Sequence, residues 1–323
     1  MAVSRGVTYR GRYAPTPSGP LHLGNVRTAL LAWLLARQAG GAFVLRMDDL
    51  DRPRVRRGAA AAILSDLRWL GLDWDEGPDT RGPAGPYTQS ERGAIYAEHL
   101  QRLQEAGLVY PCYCSRADIA RAASAPHGAE DGPAYPGTCR DPLRREQQRR
   151  RAGGRPPALR FRVPGGVFCV QDGLYGLVEQ DVARASGDVV VRRADGVPAY
   201  QLAVVVDDAL MAITDVVRGT DLLFSTPRQI ALYHAFGYAV PRFLHVPLAV
   251  DASGERLAKR HGAVGLGPLR ESGLPSACVV GALAASVGLV PPGTALTARE
   301  LLAIFDPLRL AREPSPIALP RDS

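Results

Sequence analysis

The chain has 323 residues, 46% of them hydrophobic and 22% charged, with a formal net charge of +7. That length and balance fit a globular protein of two or three units and exclude a disordered or fibrous chain. No apolar run reaches the roughly 18 residues of a membrane-spanning helix, and Met1 to Arg12 carries no apolar export segment, so a cytoplasmic setting is expected.

Five cysteines make an odd set, which fits a reducing compartment with some thiols on a metal better than a disulfide framework. The positive charge favours an anionic partner such as nucleic acid. Of 39 basic residues, 38 are Arg and one, Lys259, is Lys. In so Arg-rich a chain the remaining lysine marks either chance or a position where a compact ammonium does what a planar fork does not.

Thr8 to Tyr13 reads as a short strand, and Val26 to Gln38 as a helix with Asn25 as its cap and Gly40-Gly41 as its stop. The Pro/Gly/Ser loop between them holds His22 and Gly24 just outside a helix N-terminus. Such an end suits a phosphate, which His22 can also contact, while Gly24 lets a flat ring lie close to the backbone. Ala42 to Met47 is an apolar run fit for a buried parallel strand and ends in Asp48-Asp49-Leu50-Asp51. Helices are predicted over Gly58 to Leu70 and over Ser90 to Ala106, the latter capped by Ser90, with a Gly/Pro loop between them. This order is the doubly wound pattern.

Val109 to Cys114 reads as a strand with two cysteines, followed by a helix to Ala123 and an irregular loop to Gly137. Pro142 to Ala152 is basic and helical. Ala158 to Val163, Val167 to Gln171 and Val189 to Arg193 read as short antiparallel strands. The α/β style returns with predicted strands at Ala199 to Asp207, Ala212 to Arg218 and Phe243 to Val250, and a helix at Ser225 to Phe236 capped by Ser225. Pro275 to Leu310 is expected to be helical and Arg312 to Ser323 loose. The expected fold class is α/β, a Rossmann-type doubly wound parallel sheet with an inserted α+β domain and a short helical C-terminal region. The expected boundaries are 1–109 and 197–255 for the catalytic halves, 110–196 for the insertion and 256–323 for the tail.

The segment Pro15 to Asn25 and the later Arg256-Leu257-Ala258-Lys259-Arg260 form a pair. Between them lie Arg46 to Asp51, Tyr87-Thr88-Gln89-Ser90, Asp207-Asp208, Arg218-Gly219-Thr220-Asp221 and Ser225 to Gln229. In this order the motifs resemble the class I aminoacyl-tRNA synthetases of the glutamyl type, from about residue 10 to residue 265. About 60 residues follow Lys259, whereas a full glutamyl-tRNA synthetase carries a large helical anticodon-binding region there. The short form with a cysteine-bearing insertion resembles the glutamyl-Q tRNA(Asp) synthetase family.

The resemblance implies ATP, with Mg2+, at His22, Gly24, Asn25 and Lys259, where His22, Gly24 and Lys259 serve catalysis. It implies L-glutamate at Arg12, Tyr13, Ala14, Pro15, Thr16, Asp48, Tyr200 and Arg218. Arg12 and Arg218 are the candidate forks for the two carboxylates, and Asp48 the candidate for the ammonium. The implied activity is formation of glutamyl-adenylate without tRNA and transfer of glutamate to the queuosine base in the anticodon of tRNA(Asp), by a monomer in the cytoplasm. Two departures stand out. Asp48 replaces the family's usual Glu, and Arg256, Ala258 and Arg260 replace its usual Lys, Ser and Ser.

Cys112, Cys114 and Cys139 form a second constellation. From the residues alone they are an incomplete three-thiol metal site or scattered buried cysteines. The resemblance implies one structural Zn2+ on Cys112, Cys114, Tyr135 and Cys139, with His127 as an alternative to Tyr135. Cys169 and Cys278 are expected in the core. The arginines between Arg140 and Arg155 are open to two readings, phosphate contact with tRNA or a solvated helix face.

Overall fold

Apolar runs of a few residues bounded by polar turns become strands here, because both faces of a central strand find a covering layer. The computed structural model describes residues 8–122, 134–251 and 265–319. The first part comprises β1 (Arg10–Tyr13), α1 (Leu23–Gln38), β2 (Ala42–Leu45), α2 (Ala59–Trp69) and α3 (Gly93–Glu105). Next come β3 (Val109–Cys112), α4 (Arg116–Ala122), α5 (Pro142–Arg151), β4 (Ala158–Phe161), β5 (Val167–Asp172), β6 (Gly176–Asp181), α6 (Val182–Ala185) and β7 (Val189–Arg192). The remainder is α7 (Tyr200–Leu210), β8 (Asp215–Gly219), α8 (Thr226–Phe236), β9 (Arg242–Val246), β10 (Ala249–Val250), α9 (Leu266–Glu271), α10 (Ser276–Ala285), α11 (Ala298–Ile304) and β11 (Ser315–Pro316).

Among the described residues, six strands form one sheet in the order β2-β1-β8-β9-β5-β6. All neighbours run parallel except β6, which turns back antiparallel on β5. The expected α/β class therefore holds, with a mixed rather than purely parallel sheet. β5 and β6, expected within the inserted unit, pair with the central sheet instead. β3, β4 and β7 form their own antiparallel sheet.

Successive strand residues face opposite layers. Phe43, Leu45, Val217 and Val246 join the core under α1, α10 and α11, while Val44, Val216 and Phe243 meet Met211 and Ile230 on the other face. Val26, Leu30, Trp33 and Leu34 of α1 are all buried. Each contributes about 1.5–3 kcal/mol by leaving water.

Several expectations are corrected. Ala199 to Asp207 is not a strand; Tyr200–Leu210 is helix α7. Leu202 to Val206 are all buried, with α3, α8 and β7 packed around them, so the run is apolar on every side. A short run of that kind has no periodicity to tell helix from strand, and packing overrides the β preference of its valines. Helix α1 is capped by His22 rather than Asn25: the His22 ring Nδ1 accepts the Asn25 backbone N–H at 3.3 Å. Ser90 does not cap α3 but donates to Asp49 at 2.6 Å, tying two motifs together. Ser225 stands at the N-cap of α8 without a side-chain capping bond. The predicted strand Phe243 to Val250 breaks at Pro247, which has no N–H to give a ladder. The tail is not loose through Ser315–Pro316, which pair with β10. Cys169 is exposed on the β5–β6 hairpin and Cys278 half-buried, so neither is a core residue.

The two helix layers and the sheet meet around a buried charge network. Arg46, one residue past β2, is fully buried. It reaches Asp48 and Asp208 at 2.7 Å each, with Asp207 at 3.6 Å. Arg12 of β1 pairs with Asp208 at 3.2 Å, and Arg92 at the head of α3 with Asp207 at 2.6 Å. Tyr96 and Gln89 also donate to Asp207, each at 2.8 Å. Removing one member strands a buried charge. Arg46→Met is expected to lower the unfolding free energy by about 3–5 kcal/mol in urea titrations followed by circular dichroism. A loss below about 1 kcal/mol, the worth of a surface pair, would contradict this account.

Candidate active site

The parallel strands β2, β1, β8 and β9 all end at one edge of the sheet. The chain leaves β1 toward β2 on one side and meets β8 on the other. This is the switch point at which open α/β sheets bind ligands. A cleft of about 2000 Å³ opens there. Pockets for single small ligands measure about 300–1,000 Å³, so this one has room for more than one. Its walls include Arg12, Tyr13, Ala14, Pro15, Thr16, His22, Gly24, Asn25, Asp48, Tyr200 and Arg218, all of them residues singled out from the sequence. Lys259 and its neighbours 252–264 lie outside the described residues.

At one end of the cleft stands the N-terminus of α1. His22 is extended and caps the helix, so its ring lies over the first turn. Unpaired N–H groups and the dipole at this end favour an anion. A Cβ on Gly24 would lie 3.1 Å from Ala249 Cβ and 3.2 Å from the His22 ring, so only glycine seats without pushing β10 or the histidine. His22 also bridges Gly265. The described residues on either side of segment 252–264 therefore lie beside the His22 loop: β10 next to Gly24, and Gly265 next to His22.

Asp48 lines the cleft, but its carboxylate is engaged by Arg46. Burial, with the like charges of Asp207 and Asp208, pushes its pKa up to about 6 although Arg46 opposes the shift. Tyr200 heads α7 at the cleft wall, 42% exposed. The Tyr13 hydroxyl is buried without a hydrogen-bond partner among the described residues, and burial pushes its pKa well up.

Arg218 differs from the other buried arginines of the site. Arg12 and Arg46 each pair with a carboxylate. Arg218, 5% exposed, donates to Thr226 at 2.7 Å and to His245 at 3.0 Å, both uncharged acceptors when His245 is neutral. Its Nη1 has no partner among the described residues. Burial pulls its pKa down. A buried cation without a counter-ion is costly, so an anionic ligand that reached this wall of the cleft would be stabilised by it.

The cysteines expected to hold a metal come together. The Sγ atoms of Cys112, Cys114 and Cys139 lie within 4.8 Å of one another. Thiolates around one tetrahedral ion at about 2.3 Å would sit about 3.8 Å apart, so the set fits. The Tyr135 hydroxyl lies 3.5 Å from Cys112 Sγ and accepts the Cys139 N–H at 2.7 Å. Gly187, at φ +70°, lets the Tyr135 backbone approach: a Cβ there would meet the Tyr135 carbonyl oxygen at 2.1 Å. Arg160 donates to Cys112 at 3.3 Å and stacks on the Tyr135 ring. Hydrogen bonds from the other two thiols, with Arg160 beside them, hold the Cys112 thiol far below its usual range, which favours the ligating thiolate. His127 lies outside the described residues. Arg160 and Tyr135 also line the cleft, so the cysteine cluster borders it. Helix α5 is solvated, with Arg149 and Arg150 paired to Glu146.

Arg46, Asp208, His245 and Asp172 were not singled out as site residues. The motifs Arg46-Met47-Asp48 and Asp207-Asp208 were visible, but reading α7 as a strand hid which way the aspartates point. For His245, one polar residue inside the run Arg242 to Val246 was the available signal.

Comparison with known proteins bears on what the cleft does. The family described as "tRNA synthetases class I (E and Q), catalytic domain" matches residues 8–303. A glutamyl-Q tRNA(Asp) synthetase of Symbiobacterium thermophilum is 56% identical over 305 residues, 94% of each chain. One from Nitratidesulfovibrio vulgaris is 50% identical, again over 94% of each. Glutamate–tRNA ligase 1 of Halorhodospira halophila is 44% identical over 96% of this chain but 65% of its own length. Among solved structures, a glutamate tRNA ligase from Elizabethkingia meningosepticum in complex with its amino acid superposes with a TM-score of 0.80 at 27% identity, covering 97% of this chain and 68% of that one.

The Asp48 titration is open to test. Its folded-state pKa lies above its ordinary value of 3.8, so the folded protein holds this proton more tightly than the unfolded chain. The stability that this proton contributes is complete below pH 3.8 and is lost as pH rises to about 6. Carbon-13 NMR of the Asp48 carboxyl is expected to give a midpoint near 6. Urea unfolding of Asp48→Asn against the parent is expected to show a pH-dependent difference confined to that window. A midpoint at or below 3.8 would contradict the burial argument.

Proposed function

The chain belongs to the class I tRNA synthetases for glutamate and glutamine, and from that premise we propose that it activates L-glutamate with ATP without tRNA and transfers it to the queuosine base of tRNA(Asp). It is a ligase of that class. The observation that carries the substrate reading is Arg218, a buried guanidinium that lines the cleft without a carboxylate partner among the described residues. The helix N-terminus under His22 supplies an anion site at the other end. An amino acid with a second carboxylate fits beside a nucleotide between these two. The transfer to queuosine is supported by the identity of 56% over 94% of both chains to a protein of that name.

In this reading a glutamate carboxylate oxygen attacks the α-phosphorus of ATP. A P–O bond forms, the bond to the β-phosphate oxygen breaks, and pyrophosphate leaves with its charge met by the helix N-terminus and Lys259; Mg2+ bound with the ATP would add charge neutralisation there. No enzyme nucleophile is needed, and positioning with charge stabilisation supplies the acceleration. Lys259 stands six residues before Gly265, so covalent reach alone keeps it within about 20 Å of the His22 site. Arg218 takes one carboxylate of glutamate. Arg12, though paired with Asp208, Tyr13, Asp48 and Tyr200 complete the amino-acid pocket. A hydroxyl of queuosine then attacks the glutamyl carbonyl and AMP departs.

The cysteine cluster is proposed as a structural zinc site. Cys112, Cys114 and Cys139 would hold the ion with Tyr135, which would brace the inserted sheet against the cleft. Purified protein is expected to carry one zinc per chain by elemental analysis, and Cys139→Ser to lose it together with thermal stability. Metal-free wild-type protein of unchanged stability would sink this part.

Glutamate-dependent exchange of pyrophosphate into ATP is expected without tRNA. With tRNA(Asp), labelled glutamate is expected on the queuosine-containing form and not on the unmodified form. Nuclease mapping that finds glutamate on the 3′-terminal adenosine would establish the alternative of a 3′-end charging enzyme. Lys259→Ala is expected to lower the exchange rate by about 10²-fold or more, in line with loss of one transition-state charge contact.

A further inference from the structure

We propose that His245 and Asp172 form a positioning relay that fixes the Arg218 guanidinium and thereby sets the affinity for glutamate. The proposal rests on the reading of Arg218 as a glutamate-carboxylate fork. The register of β8 with β9 sets Arg218 directly beside His245, and Asp172 at the end of β5 lies opposite Phe243. All three residues therefore converge on the face of the sheet that carries α7 and α8.

The hydrogen bonds assign the tautomer. Asp172 Oδ1 accepts the N–H groups of Leu174 and Tyr175, each at 2.9 Å, and Oδ2 accepts the His245 backbone N–H at 3.0 Å. Although burial opposes it, these bonds and the one from His245 hold the Asp172 carboxyl below its usual range, so it is an anion that only accepts. His245 Nδ1 lies 2.7 Å from Oδ2 and must carry the proton. Nε2 is then a lone-pair acceptor, and the Arg218 Nε–H donates to it at 3.0 Å. Thr226 Oγ1 accepts the other edge through Nη2 at 2.7 Å. The Phe243 ring lies 5.1 Å from the guanidinium carbon.

Each contact takes a donor of Arg218 without neutralising it. A carboxylate in place of His245 would hold the cation as firmly but would compete with the ligand. A neutral imidazole oriented by a remote aspartate fixes the plane and leaves Nη1, with the full charge, for the substrate. A protonated imidazole would repel the guanidinium, and burial drives His245 toward the neutral form.

The test uses glutamate-dependent pyrophosphate exchange with the full chain. His245→Leu is expected to raise KM for glutamate about tenfold or more while KM for ATP stays within about twofold. His245→Gln, whose amide oxygen can stand where Nε2 stands, is expected to recover most of that loss. Nitrogen-15 NMR is expected to find the His245 proton on Nδ1 in the wild type and on Nε2 in Asp172→Asn. If His245→Leu does not fold, Thr226→Val, which removes the other pin, is expected to raise KM for glutamate selectively. Equal rises for glutamate and ATP, or a wild-type proton on Nε2, would overturn the relay. Arg218→Lys separates the two levels. If Arg218→Lys raises KM for glutamate but a folded His245→Leu does not, the relay fails and the fork stands. If Arg218→Lys leaves that KM unchanged, the fork itself fails.

Discussion

Three guanidinium groups and three carboxylates share one dry space at the junction of β1, β2, α3 and α7. Arg46 is its centre, reaching Asp48, Asp207 and Asp208 from a fully buried position. Burying six charges is expensive and is tolerated only when every charge finds a partner with good geometry. That requirement binds distant parts of the chain to one arrangement. Arg12 and Arg46 come from neighbouring strands, the Asp pair from a helix some 160 residues later, and Arg92 from another helix. Two members of the network, Arg12 and Asp48, also line the cleft.

Against this balanced network, Arg218 stands out by its imbalance. Its neighbours hold it with an imidazole, a hydroxyl and an aromatic face, and none of them cancels its charge. Buried arginine at this cleft thus stands in two settings: Arg12 is paired with a carboxylate, whereas Arg218 has no carboxylate partner among the described residues. The sequence does not mark the difference, since both kinds are single arginines at strand ends.

The cysteine cluster borders the same cleft from the inserted sheet. Tyr135 and Arg160 belong at once to the thiol cluster and to the cleft wall. Loosening the cluster would therefore reach the ligand side through two stacked side chains. The β5–β6 hairpin binds the insertion to the core in a second way, because it adds strands to the central sheet between pieces of the smaller one.

Much of this was legible in the sequence. The strand–loop–helix around His22 and Gly24, the apolar strand before Asp48 and the helices at 59–69 and 226–236 follow from local periodicity and turn residues, which act over a few residues. The approach of Cys112, Cys114 and Cys139 was legible because thiols are rare in this chain and two of them stand two residues apart. The conformation of residues 200–210 was not legible, because a run buried on all sides loses the polar marks that give periodicity. Nor was the distinction between Arg12, paired with Asp208 at 3.2 Å across 196 positions, and Arg218, without a carboxylate partner among the described residues, since that depends on which distant residues the fold brings into contact. Local chemistry lies in the order of residues along the chain, whereas the balance of buried charge exists only once strands and helices from across the chain share one low-dielectric space.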